Sequence, residues 1–245
     1  MNRAYYAAPV DVFLNENPVT ILGTLADHHE FGLEDQQKFA WKVQIDLLKQ
    51  ALGNIFGYIF FEFSIPRMGK RVDVIFVARG IIFVIEFKVG EQSYPAHALE
   101  QVLDYALDLK NFHETSHKHP IVPILVATEA NIVSNSLKAY PDNVYEPLRA
   151  NATTLAIQLQ DCLQTIFSTP FDPLTWESGQ YKPTPTIIEA AQALYRKHDV
   201  REITRSDAGA INLTETSDTI NRIIEQTKKE PPESYLLYYR CPWSR

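Results

Sequence analysis

The run Ile81-Ile82-Phe83-Val84-Ile85-Glu86-Phe87-Lys88-Val89 constrains this chain more than any other stretch. It is β-branched and aromatic almost throughout, so it predicts a strand buried on both faces in the middle of a sheet. Glu86 and Lys88 interrupt it. A strand period of two puts both on one face, with Ile85 and Phe87 on the other. A carboxylate in such a setting is costly unless it is paired or holds a cation.

The preceding stretch, Val72-Asp73-Val74-Ile75-Phe76, carries a second carboxylate among apolar residues. The tight turn Ala78-Arg79-Gly80 predicts a hairpin that lays the two strands side by side, with Asp73 within metal-sharing reach of Glu86. Two carboxylates and a lysine at a cleft edge suit metal-assisted phosphodiester hydrolysis. Hard oxygen ligands hold Mg²⁺, which polarises the phosphate and acidifies a bound water. The lysine then positions that water or neutralises developing charge. The same residues also read as a plain Glu-Lys pair on a solvated sheet face, with Asp73 at a strand end.

Around this hairpin, apolar periodicity predicts a helix over 34–52 that ends at Gly53. Strands follow over 58–65, 71–78 and 81–89, joined by short turns, so an antiparallel meander is expected. A helix over 96–112 and a buried strand over 121–127 come next, with weaker helical signals near Leu137 and over 154–167. The fold class is therefore α/β. Seven of the nine glycines precede residue 100, whereas eleven of the 15 prolines lie from Pro120 onward. That shift places a compact unit over 1–169, a Pro-rich connector and helical extension over 170–230, and an unassigned tail over 231–245. The connector is expected to pack less tightly than the unit before it.

The order of helix, three-stranded meander, helix and strand, with Asp73 followed by Glu86-Phe87-Lys88, resembles the PD-(D/E)xK nuclease superfamily and its restriction-endonuclease-like core. Gln101-Val102-Leu103-Asp104-Tyr105 resembles the Gln-x-x-x-Tyr motif of the RecB-like branch, and Gln101 and Tyr105 share one helical face. The resemblance implies a Mg²⁺- or Mn²⁺-dependent deoxyribonuclease, with RNA as the alternative substrate. Asp73, Glu86 and the carbonyl of Phe87 would hold the metal, Lys88 would assist the water, and Gln101 and Tyr105 would place the substrate. Many superfamily members add an acidic residue from the first helix. Here Glu34, Gln44 and Glu62 stand as alternatives for that place. The stretch Phe61–Asp73 and the run Asp104–His113 resemble a narrower group, bacterial proteins in which such a domain precedes a Schlafen-type helicase. That context implies DNA processing or anti-phage defence, with a helicase or a second copy of the chain as partner. The chain has no Gly-x-x-x-x-Gly-Lys-Ser/Thr loop, so ATP binding is not expected. A nuclease-fold module that binds nucleic acid or a partner without cutting is the competing expectation.

Other features carry weaker chemistry. Arg67, Lys70 and Arg71 cluster at the turn into the Asp73 strand, either as phosphate contacts or as an ordinary charged hairpin. His113-Glu114-Thr115-Ser116-His117 matches the zincin pattern His-Glu-x-x-His, but no third ligand stands out downstream, where Glu129 and Glu146 are the candidates, and its polar setting fits a solvated helix end better. Trp41 reads as a core or interface aromatic before a base-stacking platform. With 45% apolar residues the chain can build a core, which excludes a disordered chain. The net charge of -7 excludes binding nucleic acid by bulk charge. The run Ile81–Ile85 falls far short of the roughly 20 residues a membrane span needs. Two cysteines, Cys162 and Cys241, make neither a zinc cage nor a disulfide framework, and the N-terminus has no apolar signal region. A cytoplasmic, membrane-free protein is expected.

Overall fold

A computed structural model of the chain describes residues 3–28, 35–65 and 69–181. The chain divides into two units, Met1–Thr184 and Pro185–Arg245, and the second lies outside the described residues. So do Glu34, Arg67, most of the expected 170–230 extension and the 231–245 tail.

The described part is a mixed α/β fold built on one six-stranded sheet, with the strands in sequence order across it. β1 (Tyr6–Pro9), β2 (Tyr58–Ile65), β3 (Lys70–Ala78) and β4 (Ile81–Lys88) pair antiparallel in succession. β5 (Ile121–Ala127) and β6 (Leu148–Ala150) then add in parallel. The expected meander is thus β2-β3-β4. Its second turn is a two-residue one in which Arg79 and Gly80 both take left-handed backbone, with φ of 51° and 80°. That is the turn whose twist matches a hairpin. A Cβ on Gly80 would also run into the Thr169 carbonyl.

Helices cover both faces. α1 (Val10–Asn15), α2 (Pro18–Asp27), α3 (Asp35–Ala51) and α5 (Leu155–Thr165) share one core with Ile59, Phe61, Val74, Phe83 and Ile85. α4 (Ala96–Phe112) and the short α6 (Pro173–Glu177) share the other with Phe60, Phe63, Ile75 and Val84. β4 lies between β3 and β5, and every residue of it from Ile81 to Phe87 is buried. The reading of this run as a central strand buried on both faces therefore holds, with Ile85 and Phe87 in the α3-side core. α2 starts on an Asn17 side chain that accepts from the Val19 N–H at 2.9 Å, with Pro18 in the first turn, where its missing N–H costs nothing. The Lys49 ammonium on α3 donates to the carbonyls of Phe13, Leu14 and Glu16, closing the end of α1.

Two expectations are corrected. The segment around Leu137 is not helical. Asn135 bonds both ways to the backbone of Arg149, donating to its carbonyl at 3.0 Å and accepting from its N–H at 2.9 Å. The backbone there bonds across to a later stretch instead: the Tyr140 N–H donates to the Val144 carbonyl at 2.7 Å, and the Lys138 carbonyl accepts from the Glu146 N–H at 2.8 Å. The packed unit also runs past residue 169. Trp176 is buried against Phe60, Phe63 and His113, and its indole N–H donates to Ser116 Oγ at 2.8 Å. The first part of the expected connector, 170–181, thus belongs to the α4-side core.

Candidate functional site

The meander splays where the carboxylates lie. Phe61 pairs with Val74 and Phe63 with Val72, so Glu62 stands opposite Asp73. On β2, Phe61 packs on the α3 side and Phe63, two residues on, packs on the α4 side. On β3, Val74 and Val72 change sides in the same way across Asp73. Two residues apart in a regular strand share a face, so both strands turn over at one level. Glu62 absorbs the turn with a φ of 52°. On the other side of β3, the ladder with β4 ends at the Val74–Ile85 pair. Beyond it the Phe87 N–H donates to Asp73 Oδ2 at 2.8 Å, a side chain taking the place of a strand carbonyl.

Glu86 and Lys88 project toward α4, as the period of two requires. There Gln101 joins them. Lys88 Nζ donates to Glu86 Oε1 at 3.1 Å and to Gln101 Oε1 at 3.2 Å. Gln101 Nε2 donates to Glu86 Oε1 at 2.8 Å and to the Tyr105 hydroxyl at 2.9 Å. Glu86, Lys88, Gln101 and Tyr105 thus form one connected network, with Asp73 one residue away through the Phe87 backbone. The helical spacing of Gln101 and Tyr105 is what lets a single amide reach both the strand and the tyrosine.

Burial first, then the negative charges of Glu86 and Glu62, pushes the Asp73 carboxyl well above the usual carboxylate range. Burial likewise raises Glu86, against the pull of the Lys88 ammonium. Burial also raises Tyr105, opposed by its hydrogen bond from Gln101. Glu86 Oε2 is buried and has no hydrogen-bond partner among the described residues. Two carboxylates raised by burial, Asp73 further by the charge of Glu86, with one oxygen of Glu86 lacking a hydrogen-bond partner, are oxygen donors of the kind a hard cation takes. Among the described residues, no three His, Cys, Asp or Glu lie close enough to hold one ion, so a third protein carboxylate does not complete such a set.

An expected result follows from the sign of these shifts. The folded Asp73 carboxyl binds its proton more tightly than an unfolded chain does. The metal-free protein therefore loses stability as pH rises from the ordinary carboxylate value toward the raised one. Asp73→Asn keeps an acceptor for the Phe87 N–H and removes the charge. It should melt higher than the parent at neutral pH without added metal, and the gap should close in acid, below the ordinary carboxylate pKa. An unchanged or lower melting temperature at neutral pH would mean that the carboxylate is not under this strain.

The remaining sequence candidates fall elsewhere. Arg71 donates to the carbonyls of Glu62 and Arg3 at 2.8 and 3.3 Å and lies over the Tyr5 ring, so its guanidinium is occupied in the fold. Lys70 is exposed at the start of β3. Gln44 is on the inner face of α3, 3% exposed, one turn beyond Trp41. Trp41 is fully buried, which removes it as a stacking platform, and its indole N–H donates to Glu62 Oε1 at 2.7 Å. That contact had no signal in the sequence, because a tryptophan on an apolar helix face reads as core. The zincin pattern is corrected as well. Glu114–Ser116 is a single 3₁₀ turn, and His113 is fully buried with Nδ1 2.7 Å from Ser116 Oγ. Burial, with the Arg3 charge behind it, lowers the His113 pKa to about 3. The histidine is neither at a solvated helix end nor part of a three-ligand cluster.

No family model, curated protein or solved structure matches the chain. No helix among the described residues is long and apolar enough to cross a membrane.

Proposed function

We propose that this chain is a metal-dependent nuclease domain with a restriction-endonuclease-like core, hydrolysing phosphodiester bonds of DNA. The observation that carries the reading is the pair of buried carboxylates, Asp73 and Glu86, both raised by burial and Asp73 also by the charge of Glu86, with the unsatisfied Glu86 Oε2 beside the Lys88–Gln101–Tyr105 network. Mg²⁺ or Mn²⁺ on Asp73, Glu86 and the Phe87 carbonyl would polarise the phosphate and acidify a bound water. Lys88 offers a positive charge beside the place where negative charge develops on the phosphate oxygens. Gln101 holds Lys88 and Glu86 in fixed relative positions and donates to the Tyr105 hydroxyl. Work in DNA processing or anti-phage defence, with a helicase or a second copy as partner, belongs to the same proposal.

Incubating the chain with single- and double-stranded DNA and RNA, under Mg²⁺, Mn²⁺ or EDTA, tests it. DNA should be cut with either metal and left intact with EDTA. Glu86→Ala should lose Mn²⁺ binding and cleavage together, because it removes a ligand. RNA cut in preference to DNA would change the substrate and keep the chemistry. The missing third carboxylate and the net charge of -7 favour one second reading, a nuclease-fold module that binds without cutting. Binding of nucleic acid with no cleavage under either metal would establish it.

A further inference from the structure

The 170–181 segment closes over one histidine. The Trp176 indole N–H donates to Ser116 Oγ at 2.8 Å, and that oxygen lies 2.7 Å from His113 Nδ1. A hydroxyl has one proton to give, and Ser116, accepting from the indole, can give it to an unprotonated Nδ1. The other ring nitrogen, Nε2, faces Thr115 Oγ1, which donates to the Trp176 carbonyl at 2.9 Å. The path thus leaves Trp176 and returns to it through a neutral imidazole. The ring is fully buried among Phe63 of β2, Trp176 and Tyr181. A Cβ on Gly179 would run into Nε2 and Thr115 Oγ1, so the backbone of the segment lies directly on the ring. Its charged neighbours supply no counter-charge. Arg3, ahead of β1, and His117, past the 3₁₀ turn, act on it as positive groups. On α4, Asp108 accepts from the Tyr181 hydroxyl at 2.9 Å, and Lys110 donates to the His119 carbonyl at 2.9 Å. Glu114 acts on His117, and Glu177 accepts from the Arg3 N–H at 3.2 Å. Among the described residues, no carboxylate pairs with His113.

We propose that the 170–181 segment is a proton-operated latch, closed on α4 and the 3₁₀ turn while His113 is neutral and opened by a proton on that ring. A charged ring in the closed latch is out of water with no carboxylate beside it, whereas opening hydrates it. Burial, then the Arg3 and His117 charges, lowers the His113 pKa to about 3, against a pull from the Glu177 backbone. In the open form the ring returns to its ordinary 6.5. The closed form is therefore fully favoured above 6.5 and loses ground as pH falls from there toward about 3. Two more histidines act in the same direction. His119 lies against Phe171 of the segment, with ring centroids 4.2 Å apart, and burial, then Lys110 and Lys118, lowers it. Burial, then Lys110, lowers His117. The latch does not depend on the nuclease reading.

Hydrogen exchange of the intact chain, resolved by fragment and corrected for intrinsic rates, tests it. The reporters are the N–H groups of Trp176, Ser178 and Gly179, which donate within the segment, and that of Glu114, which donates to the Gln180 carbonyl. These amides should be less protected than those of β4, because the latch opens while the domain stays folded. From about pH 6 to about pH 4.5 their protection should fall by about tenfold per pH unit or more. His113→Asn keeps an acceptor in the Nδ1 place and takes no proton, so it should reduce that slope by about tenfold per unit. Protection equal to that of β4 at every pH overturns the proposal, since the segment then opens only with the domain. So does protection that does not change with pH, or a slope that His113→Asn leaves as it was. If that variant does not fold, a nuclear magnetic resonance titration of the parent decides. The His113 ring should stay neutral well below 6.5, and a ring that titrates at its ordinary value overturns the latch.

Discussion

Lys88→Ala should cut DNA slower by about 10² or more while its affinity for Mn²⁺ is kept or slightly raised. The ammonium stands 3.1 Å from Glu86 Oε1, where it competes with a cation for the same carboxylate. Removing it takes away a positive neighbour and leaves Asp73 and Glu86 in place as ligands. Glu86 still accepts from Gln101 at 2.8 Å, so the carboxylate stays oriented. What is lost is the charge partner for the phosphate as it gains negative charge. Lys88 is partly exposed on the α4 side of β4, and Ile85 and Phe87 carry the packing of that stretch, so the variant should fold. The measurement is initial cleavage rate beside a Mn²⁺ titration on the same preparations. Parent-like cleavage would make Lys88 a structural partner of Glu86 and would sink the assigned roles.

Trp176→Ala should destabilise the protein by about 3–5 kcal/mol, the range for emptying a fully buried large aromatic site. The indole is 1% exposed and stacks on Phe63 at 5.3 Å between ring centroids, with His113 edge-on at 4.9 Å. Its N–H donates to Ser116 Oγ, and its carbonyl accepts from Thr115 Oγ1 at 2.9 Å. Truncation opens a cavity and removes the donor to a buried hydroxyl, two costs that add. Urea melts of parent and variant would read the difference. A loss below about 1 kcal/mol would mean that the 170–181 segment rests on the core without holding it, contrary to the burial described above.

The parts of the fold that were legible in the sequence are those with long, unambiguous periodicity. The strands over 58–65 and 121–127 and the helix over 96–112 match the structure residue for residue. The two strands are apolar runs bounded by Pro66 and by Pro120, and the helix carries an apolar period that starts after Pro95. Glu86, Lys88, Gln101 and Tyr105 were legible for the same reason, since periods of two and of four fix which side chains meet. Shorter elements gave no such signal. β1 and β6 have only four and three residues and owe their conformation to the strand beside them. α6 lies in a Pro-rich stretch, and its one buried large residue, Trp176, reads as isolated until the hydrogen-bond partners elsewhere in the chain are known. The left-handed Glu62 was invisible because Phe61 and Phe63 suit a regular strand perfectly well. Their division between two cores is a tertiary fact. The pattern at His113 failed for the opposite reason: local spacing matched a ligand pair, and long-range burial by Trp176 decided the outcome.

β4 is the strand at which the sheet changes from antiparallel to parallel pairing, and it has hydrogen-bonded neighbours on both sides. Its amides therefore belong with those that open only when the whole domain unfolds, while elements at the sheet margin can fray at lower cost. Glu86 and Lys88 lie past the end of the ladder with β3, so they share in that protection through their pairing with β5. Heat should then leave the geometry of the site intact until it takes the entire domain at once.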